Sequence, residues 1–322
     1  MKSRMREGKH ERSLTLKRVI RKSVESLTEL PEENDSMNQQ RNSGKSCAWL
    51  IIAAAIFALG GDQTTDAYAV GFLKHQPIAE ASGIIASRQY PGIFWVHNDS
   101  GNKATLFAVR SDGTLVNEFA VAAPNVDWED IAIDDRGHLY IGDIGNNNNR
   151  LPLRCIYRID EPNPNAKRVG TCKVTLTSYY KFPESGRFDA ESLFVAGKNA
   201  YLIAKQFDGR NAEIYAIPLD PPAPLFKPAI ALRVGELPGF DEPATGADLS
   251  ANGRWLAVCS NTKARVYERV GPTSWKKLAT IKDVGKTIEA ICWDGSDLLL
   301  AGENRLMYRI PEQTWRAKVQ DR

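Results

Sequence analysis

Residues 129–143 read EDIAIDDRGHLYIGD. An apolar run leads into the turn pair Arg136-Gly137 and a second apolar run follows, which is the pattern of a β-hairpin. The same unit recurs along the chain. Openers of this kind are SGIIAS at Ser82, EDIAID at Glu129, ESLFVA at Glu191, ADLSAN at Ala247 and EAICWD at Glu289. Their turns are Pro91-Gly92, Arg136-Gly137, Gly197-Lys198, Asn252-Gly253 and Asp294-Gly295, and the returning runs are IFWVHN, HLYIGD, AYLIAK, RWLAVC and LLLAGE. From 129 to 143, 191 to 205, 247 to 261 and 289 to 303 the step is fourteen residues each time.

A third run then places one aromatic between aliphatics in every unit: Phe107, Tyr157, Tyr215, Tyr267 and Tyr308. A fourth, more polar run follows as LVNEFAV, KVTLTSYY, IALRVG, WKKLATI and WRAKVQ. Four antiparallel strands per unit, repeated radially, give an all-β chain folded as a β-propeller. Five blades are expected; a sixth is the alternative if residues 70–80 and the C-terminus form a degenerate blade or share strands to close the ring. The first two runs of each unit are almost wholly apolar, as strands buried on both faces are, and the fourth alternates, as an outer edge does. No helix is expected within this body.

Of the 322 residues, 43% are apolar and 25% charged, ordinary values for a folded body. The formal charge of +3 is uneven. Residues 1–47 carry eleven Lys/Arg against seven Asp/Glu, and 48–69 carry only Asp62 and Asp66, so residues 70–322 are left near +1. Such a body has no electrostatic footprint for nucleic acid.

Ala48 to Gly60 reads AWLIIAAAIFALG, preceded by Arg41 and Lys45 and followed by Ala67-Tyr68-Ala69. That is the pattern of a secretory signal with an A-x-A cleavage site, too short for an ordinary spanning helix. The expected organisation is a charged, unfolded extension over 1–47 (with Met37 as an alternative start), a signal over 48–69, and one propeller over 70–322. The product is exported, periplasmic or secreted, and monomeric; an uncleaved membrane anchor at 48–60 is the alternative. An oxidising compartment permits disulfides among Cys155, Cys172, Cys259 and Cys292, with Cys155–Cys172 one candidate and buried thiols the other.

In an up-down-up-down blade the start of the first strand and the end of the second share one face. That face gathers Glu129, Glu191 and Glu289, with Asp127 and Asp189 two residues earlier; Asp127 and the three glutamates are candidate metal ligands. From strand ends it gathers His97, Asn98, Asp99, Asp143, Lys205, Asn261 and Glu303, with Asn146 in the loop after Asp143. Trp128, between Asp127 and Glu129, is a candidate stacking wall for a sugar or other flat ligand. Carboxylates and amides converging from several blades suit Ca²⁺ or a polar ligand. A Glu at a strand start can equally accept backbone N–H bonds from the next blade and hold the ring together. The sequence contains no G-x-S-x-G, H-E-x-x-H or G-x-G-x-x-G signature. A triad built on His97, Asp99 and Ser100 is geometrically poor, because neighbours on a strand point to opposite sides.

WVHNDSG from Trp95, DWEDIAI from Asp127 and LYIGDIGNN from Leu139 resemble exported bacterial propellers of the NHL-repeat, SdiA-regulated and esterase-like phytase kind. The resemblance spans Glu80 to Ile310. In the phytase-like group, acids at the strand start bind Ca²⁺, which would fall here on Glu129, Glu191 and Glu289; Ser82 and Ala247 depart from that pattern. Two functions follow: Ca²⁺-assisted binding of a small polar ligand or protein at the mouth, or Ca²⁺-dependent hydrolysis of phosphate esters. The second needs cations beside the acids, and Lys205, Arg150 and Arg210 are the candidates.

Overall fold

Hairpin by hairpin, the apolar runs become the strands of five sheets. The structure is a computed structural model that describes residues 67–146, 151–168, 170–183 and 188–320. The expected extension and signal core therefore lie outside the described residues, as do Asn147–Arg150. Among the described residues no helix is long and apolar enough to cross a membrane.

Blade one holds β2 (Ala81–Ala86), β3 (Phe94–Asn98), β4 (Thr105–Val109) and β5 (Leu115–Ala120). In blade two are β6 (Trp128–Ile133), β7 (His138–Asp143), β8 (Arg154–Asp160) and β9 (Val174–Lys181). Blade three has β10 (Ala190–Ala196), β11 (Asn199–Ala204), β12 (Glu213–Pro218) and β14 (Leu232–Glu236), and the two-residue β13 (Ala229–Ile230) pairs in parallel with β9 on the edge of blade two. Blade four is β15 (Gly246–Leu249), β16 (Trp255–Ser260), β17 (Lys263–Arg269) and β18 (Trp275–Ile281). Blade five is β19 (Ile288–Asp294), β20 (Asp297–Gly302), β21 (Leu306–Ile310) and, from the other end of the chain, β1 (Ala69–Phe72). Consecutive inner strands pack together and β19 packs on β2, so the ring closes with five blades.

That closure corrects one expectation. WRAKVQ is not the fourth strand of blade five but part of a helix, α1 (Glu312–Gln320). The slot it was assigned is filled by β1, with Ala69 opposite Tyr308 and Phe72 opposite Leu306. The helix is amphipathic: Trp315 is fully buried, ringed by Trp255 and Trp293 at 5.5 and 5.8 Å, and Val319 packs on the same cluster one turn later. Asp297 caps it by accepting the backbone N–H of Glu312 at 2.8 Å. Gly71 is required in β1, because any Cβ there would collide with the backbone of Asp112.

The four described cysteines are free, buried thiols. Register explains why Cys155 and Cys172 do not meet: Cys155 faces Tyr179, whereas Val174, just after Cys172, faces Ile159 at the far end of β8.

The blades are tied at the axis by side chains. Asp130, fully buried, accepts the backbone N–H of Leu193 at 2.8 Å and of Ala247 at 3.1 Å through Oδ2, and that of Ile131 at 2.8 Å through Oδ1. One carboxyl thus joins blades two, three and four. Asp248 accepts the N–H of Trp293 at 2.8 Å, and the Ser82 hydroxyl donates to the carbonyl of Glu129 at 2.6 Å. The ring-tying role considered for the anchor glutamates belongs mainly to the residue after the anchor.

Truncation of Asp130 leaves three N–H donors without a partner in a dry axis. Asp130→Ala is expected to lose about 3 kcal/mol or more, at roughly 1–3 kcal/mol for each orphaned group. Asp130→Asn, which keeps an oxygen in the Oδ2 position, should lose much less. Urea unfolding followed by circular dichroism measures both; equal stability of the Ala variant and the native chain would remove Asp130 from this role.

Candidate functional site

The start of each inner strand and the end of its neighbour meet at one mouth of the ring, as the hairpin geometry requires. A cavity of about 140 Å³ there is lined by Glu80, Ser82, Asp99, Glu129, Glu191, Lys205, Glu289 and Glu303, contributed by four of the five blades. Six of these lining residues, Asp99, Glu129, Glu191, Lys205, Glu289 and Glu303, are among those singled out from sequence. Asp127 joins them: one carboxylate oxygen from each of Asp99, Asp127 and Glu129 lies within 4.8 Å of the others. Asn261 stands at the rim and donates to Glu289 Oε1 at 2.6 Å.

Glu129 is almost fully buried, and its Oε1 has no hydrogen-bond partner; Glu191 Oε2 is in the same condition. The chain passes close above this pair. The carbonyl of Asp127 accepts the N–H groups of Ile144 and Gly145 at 3.1 and 3.2 Å, which brings Gly145 onto the carboxylates. A Cβ on Gly145 would run into Glu129 Oε1 and the Asp127 carboxylate, so only glycine leaves the cradle open. Among the described residues Lys205 is the one cation lining the cavity, and it forms an ion pair with Glu191 Oε1.

This concentration of acids raises their affinity for protons. Burial, then the facing Glu191, Asp99, Asp127 and Asp189, hold Glu129 well above the usual carboxylate range. Burial and Asp99 bring Asp127 to about 6. Burial, opposed by Lys205, brings Glu191 to about 7, and burial with Glu191 and Glu303 brings Glu289 to about 8. Burial pulls Lys205 down, but Glu191 outweighs it and the ammonium ends above its ordinary value.

Other residues expected at the mouth have structural posts. His97 is fully buried, with Nδ1 3.0 Å from the carbonyl of Asn98 and its ring edge-on to Trp128 at 5.5 Å; burial lowers its pKa to about 4. Trp128 is also fully buried and donates Nε1 to the carbonyl of Pro124 at 2.9 Å, so its indole is core and not a stacking wall. Asn98 accepts the backbone N–H of Glu80 at 3.3 Å, and Asp143 accepts that of Asp127 at 2.7 Å, the same contact in successive blades. Asn146 fastens its loop to blade three: its N–H donates to Asp189 at 2.8 Å and its Nδ2 to the carbonyl of Phe188 at 3.2 Å.

Asp143 and Lys205 share the fourteen-residue step but not the location, for a reason visible in the register. Five residues separate the paired Ile133 and Leu139 of blade two, whereas four separate Val195 and Ala200 of blade three. The extra turn residue moves Asp143 back one position, and a shift of one along a strand reverses the face. Glu80 was missed by reading outward only from the anchors. It stands two residues before Ser82, as Asp127 and Asp189 stand before Glu129 and Glu191, and extending the alignment by two positions finds it.

No family model matches the chain, and no curated protein matches it. Solved structures with similar chain paths include a chain of the mitotic checkpoint complex, at 11% identity over 71% of this chain and 63% of that one, TM-score 0.37. A gluconolactonase from Xanthomonas campestris is 12% identical over 76% of this chain and 87% of that one, TM-score 0.40. A catalytically inactive virginiamycin B lyase from Staphylococcus aureus is 12% identical over 72% and 66%, TM-score 0.37. The chain thus spans less than two thirds of the first and third of these. Likenesses at this level have no bearing on the chemistry of the mouth.

The mouth acids contribute a pH dependence to the stability of the protein without added cation. Glu191 and Glu289, with folded values of about 7 and 8, keep their protons where the unfolded chain, titrating near 4.5, has released them. Folding therefore takes up protons, and stability is expected to be full below about pH 4.5 for these groups and to fall as pH rises to about 8. Thermal melts in EDTA at stepped pH measure this; a melting temperature that climbs steadily over that window would contradict it.

Proposed function

We propose that the propeller holds a divalent cation in the acidic mouth and uses it to bind a polar ligand or partner, outside the cytoplasm. The observation that carries this reading is the buried, unpartnered Glu129 Oε1 held beside Asp127 and Asp99 under the Gly145 cradle. A buried carboxylate without a partner is costly unless a proton or a metal completes it. The donors are all oxygens, with no thiol or imidazole among them, which favours Ca²⁺ over zinc or copper. Export rests on the signal pattern over 48–69.

Ca²⁺-dependent hydrolysis of phosphate esters fits less well. A transferred phosphate needs cationic side chains beside the metal. Lys205 at the mouth is already held by Glu191, and Arg210, which lines the neighbouring groove, pairs with Asp208 at 2.6 Å. Arg150 lies outside the described residues.

Thermal unfolding with CaCl₂ and then excess EDTA tests the cation. At a hundredfold excess over the dissociation constant the gain should be about 2.7 kcal/mol. Glu129→Gln is expected to raise the melting temperature in EDTA, because a neutral amide relieves the repulsion, and to remove the Ca²⁺ shift. Gly145→Ala should remove the shift with no such gain. Superimposable melts with and without Ca²⁺ for the native chain would dispose of the proposal.

A further inference from the structure

Beside the mouth, the loop between β11 and β12 encloses a second, larger groove of about 480 Å³. That is within the range of small-molecule sites, roughly 300–1,000 Å³. Lys205 lines both cavities, so a ligand in the groove reaches the mouth through one side chain.

Two features of the lining select a ligand class. The first is Phe207, whose phenyl is 76% exposed on the groove wall, with Lys205 Nζ 6.0 Å from the ring centroid. A large ring left in water at the edge of a polar site offers a face for stacking. The second is a set of planar polar groups. Asp189 and Glu213 bring carboxylates to the lining. Asp208 accepts Arg210 Nε at 2.7 Å, and this neutralised pair is exposed on the lining.

Lys205 and Arg210 stand against Asp189, Asp208 and Glu213 in the lining, so neither an anion nor a cation meets a strongly complementary wall. An apolar ligand would bury these polar groups unpaired, which is unfavourable. A hydroxyl-rich ligand with one apolar face satisfies both features. Hydroxyls both donate and accept, and the C–H face of a pyranose ring stacks on a phenyl.

We infer that this groove binds a carbohydrate, with a pyranose unit stacked on Phe207 and its hydroxyls bonded to the exposed Asp208–Arg210 pair. The inference rests on the mouth being a ligand-binding site, and names the ligand. Sugar hydroxyls beyond Lys205 then lie beside the acids, where a bound Ca²⁺ accepts hydroxyl oxygens as ligands.

Isothermal titration of the full-length protein with maltopentaose, cellopentaose and chitopentaose, each in Ca²⁺ and in EDTA, tests this. One of the three is expected to bind saturably at millimolar concentration or tighter. Phe207→Ala should weaken it by about tenfold or more, equivalent to 1.4 kcal/mol. Phe207→Trp should restore it, and Asp208→Ala should weaken it several-fold. Absence of saturable binding by all three sugars, or a Phe207→Ala variant that binds as the native chain does, overturns the inference. Melting temperatures of the same samples separate the two proposals. A Ca²⁺ shift without sugar binding removes the carbohydrate assignment alone, and sugar binding without a Ca²⁺ shift removes the cation alone.

Discussion

One buried carboxyl at the axis organises the rest of the molecule. Asp130 accepts backbone donors from blades two, three and four, so the starts of three inner strands are held at hydrogen-bonding distance from a single side chain. Strands so gathered must bring the residues before them together as well. Glu129, one position before Asp130, and Glu191, two before Leu193, are thereby crowded with Asp99, Asp127 and Glu289 into one small space.

The crowding has an electrostatic cost that the fold meets only in part. Lys205 neutralises one carboxylate, Asn261 and Ser82 hydrogen-bond others, and protons held by raised pKa values account for more. Glu129 Oε1 and Glu191 Oε2 are still without partners. Sites that keep such a strain are commonly functional, because selection for stability alone would replace the acids with neutral groups. In the proposed reading, a divalent cation would relieve several of these repulsions at once.

Alternation within strands decides which neighbours share this space. Asp130 and Glu129 are adjacent in sequence yet have opposite roles, one tying blades and one facing the cavity, because successive side chains leave a strand on opposite sides. The β-bulge at Glu129, between the paired Trp128 and Asp130, belongs to the same arrangement, as does the irregularity at Glu191 between Ala190 and Ser192. Bulges at such positions re-aim a side chain out of the regular ladder. His97 and Trp128, in contrast, are directed inward and pack on each other in the core.

The repeat by itself determined the propeller, the order of its five repeated units and the identity of the face where acids converge, because a fixed hairpin spacing dictates which strand ends are neighbours; the closed ring excluded a sixth blade. The repeat also determined six of the residues that line the cavity. The sequence did not determine that β1 rather than the C-terminal segment completes blade five, since pairing across the whole length of the chain leaves no local signal and WRAKVQ carries both strand-like and helical spacing. Nor did it separate Asp143 from Lys205, or Trp128 from a binding surface. Those outcomes depend on one extra turn residue and on which side of a strand faces the axis. Only the closed ring, with every inner strand fixed against two neighbours, decides them.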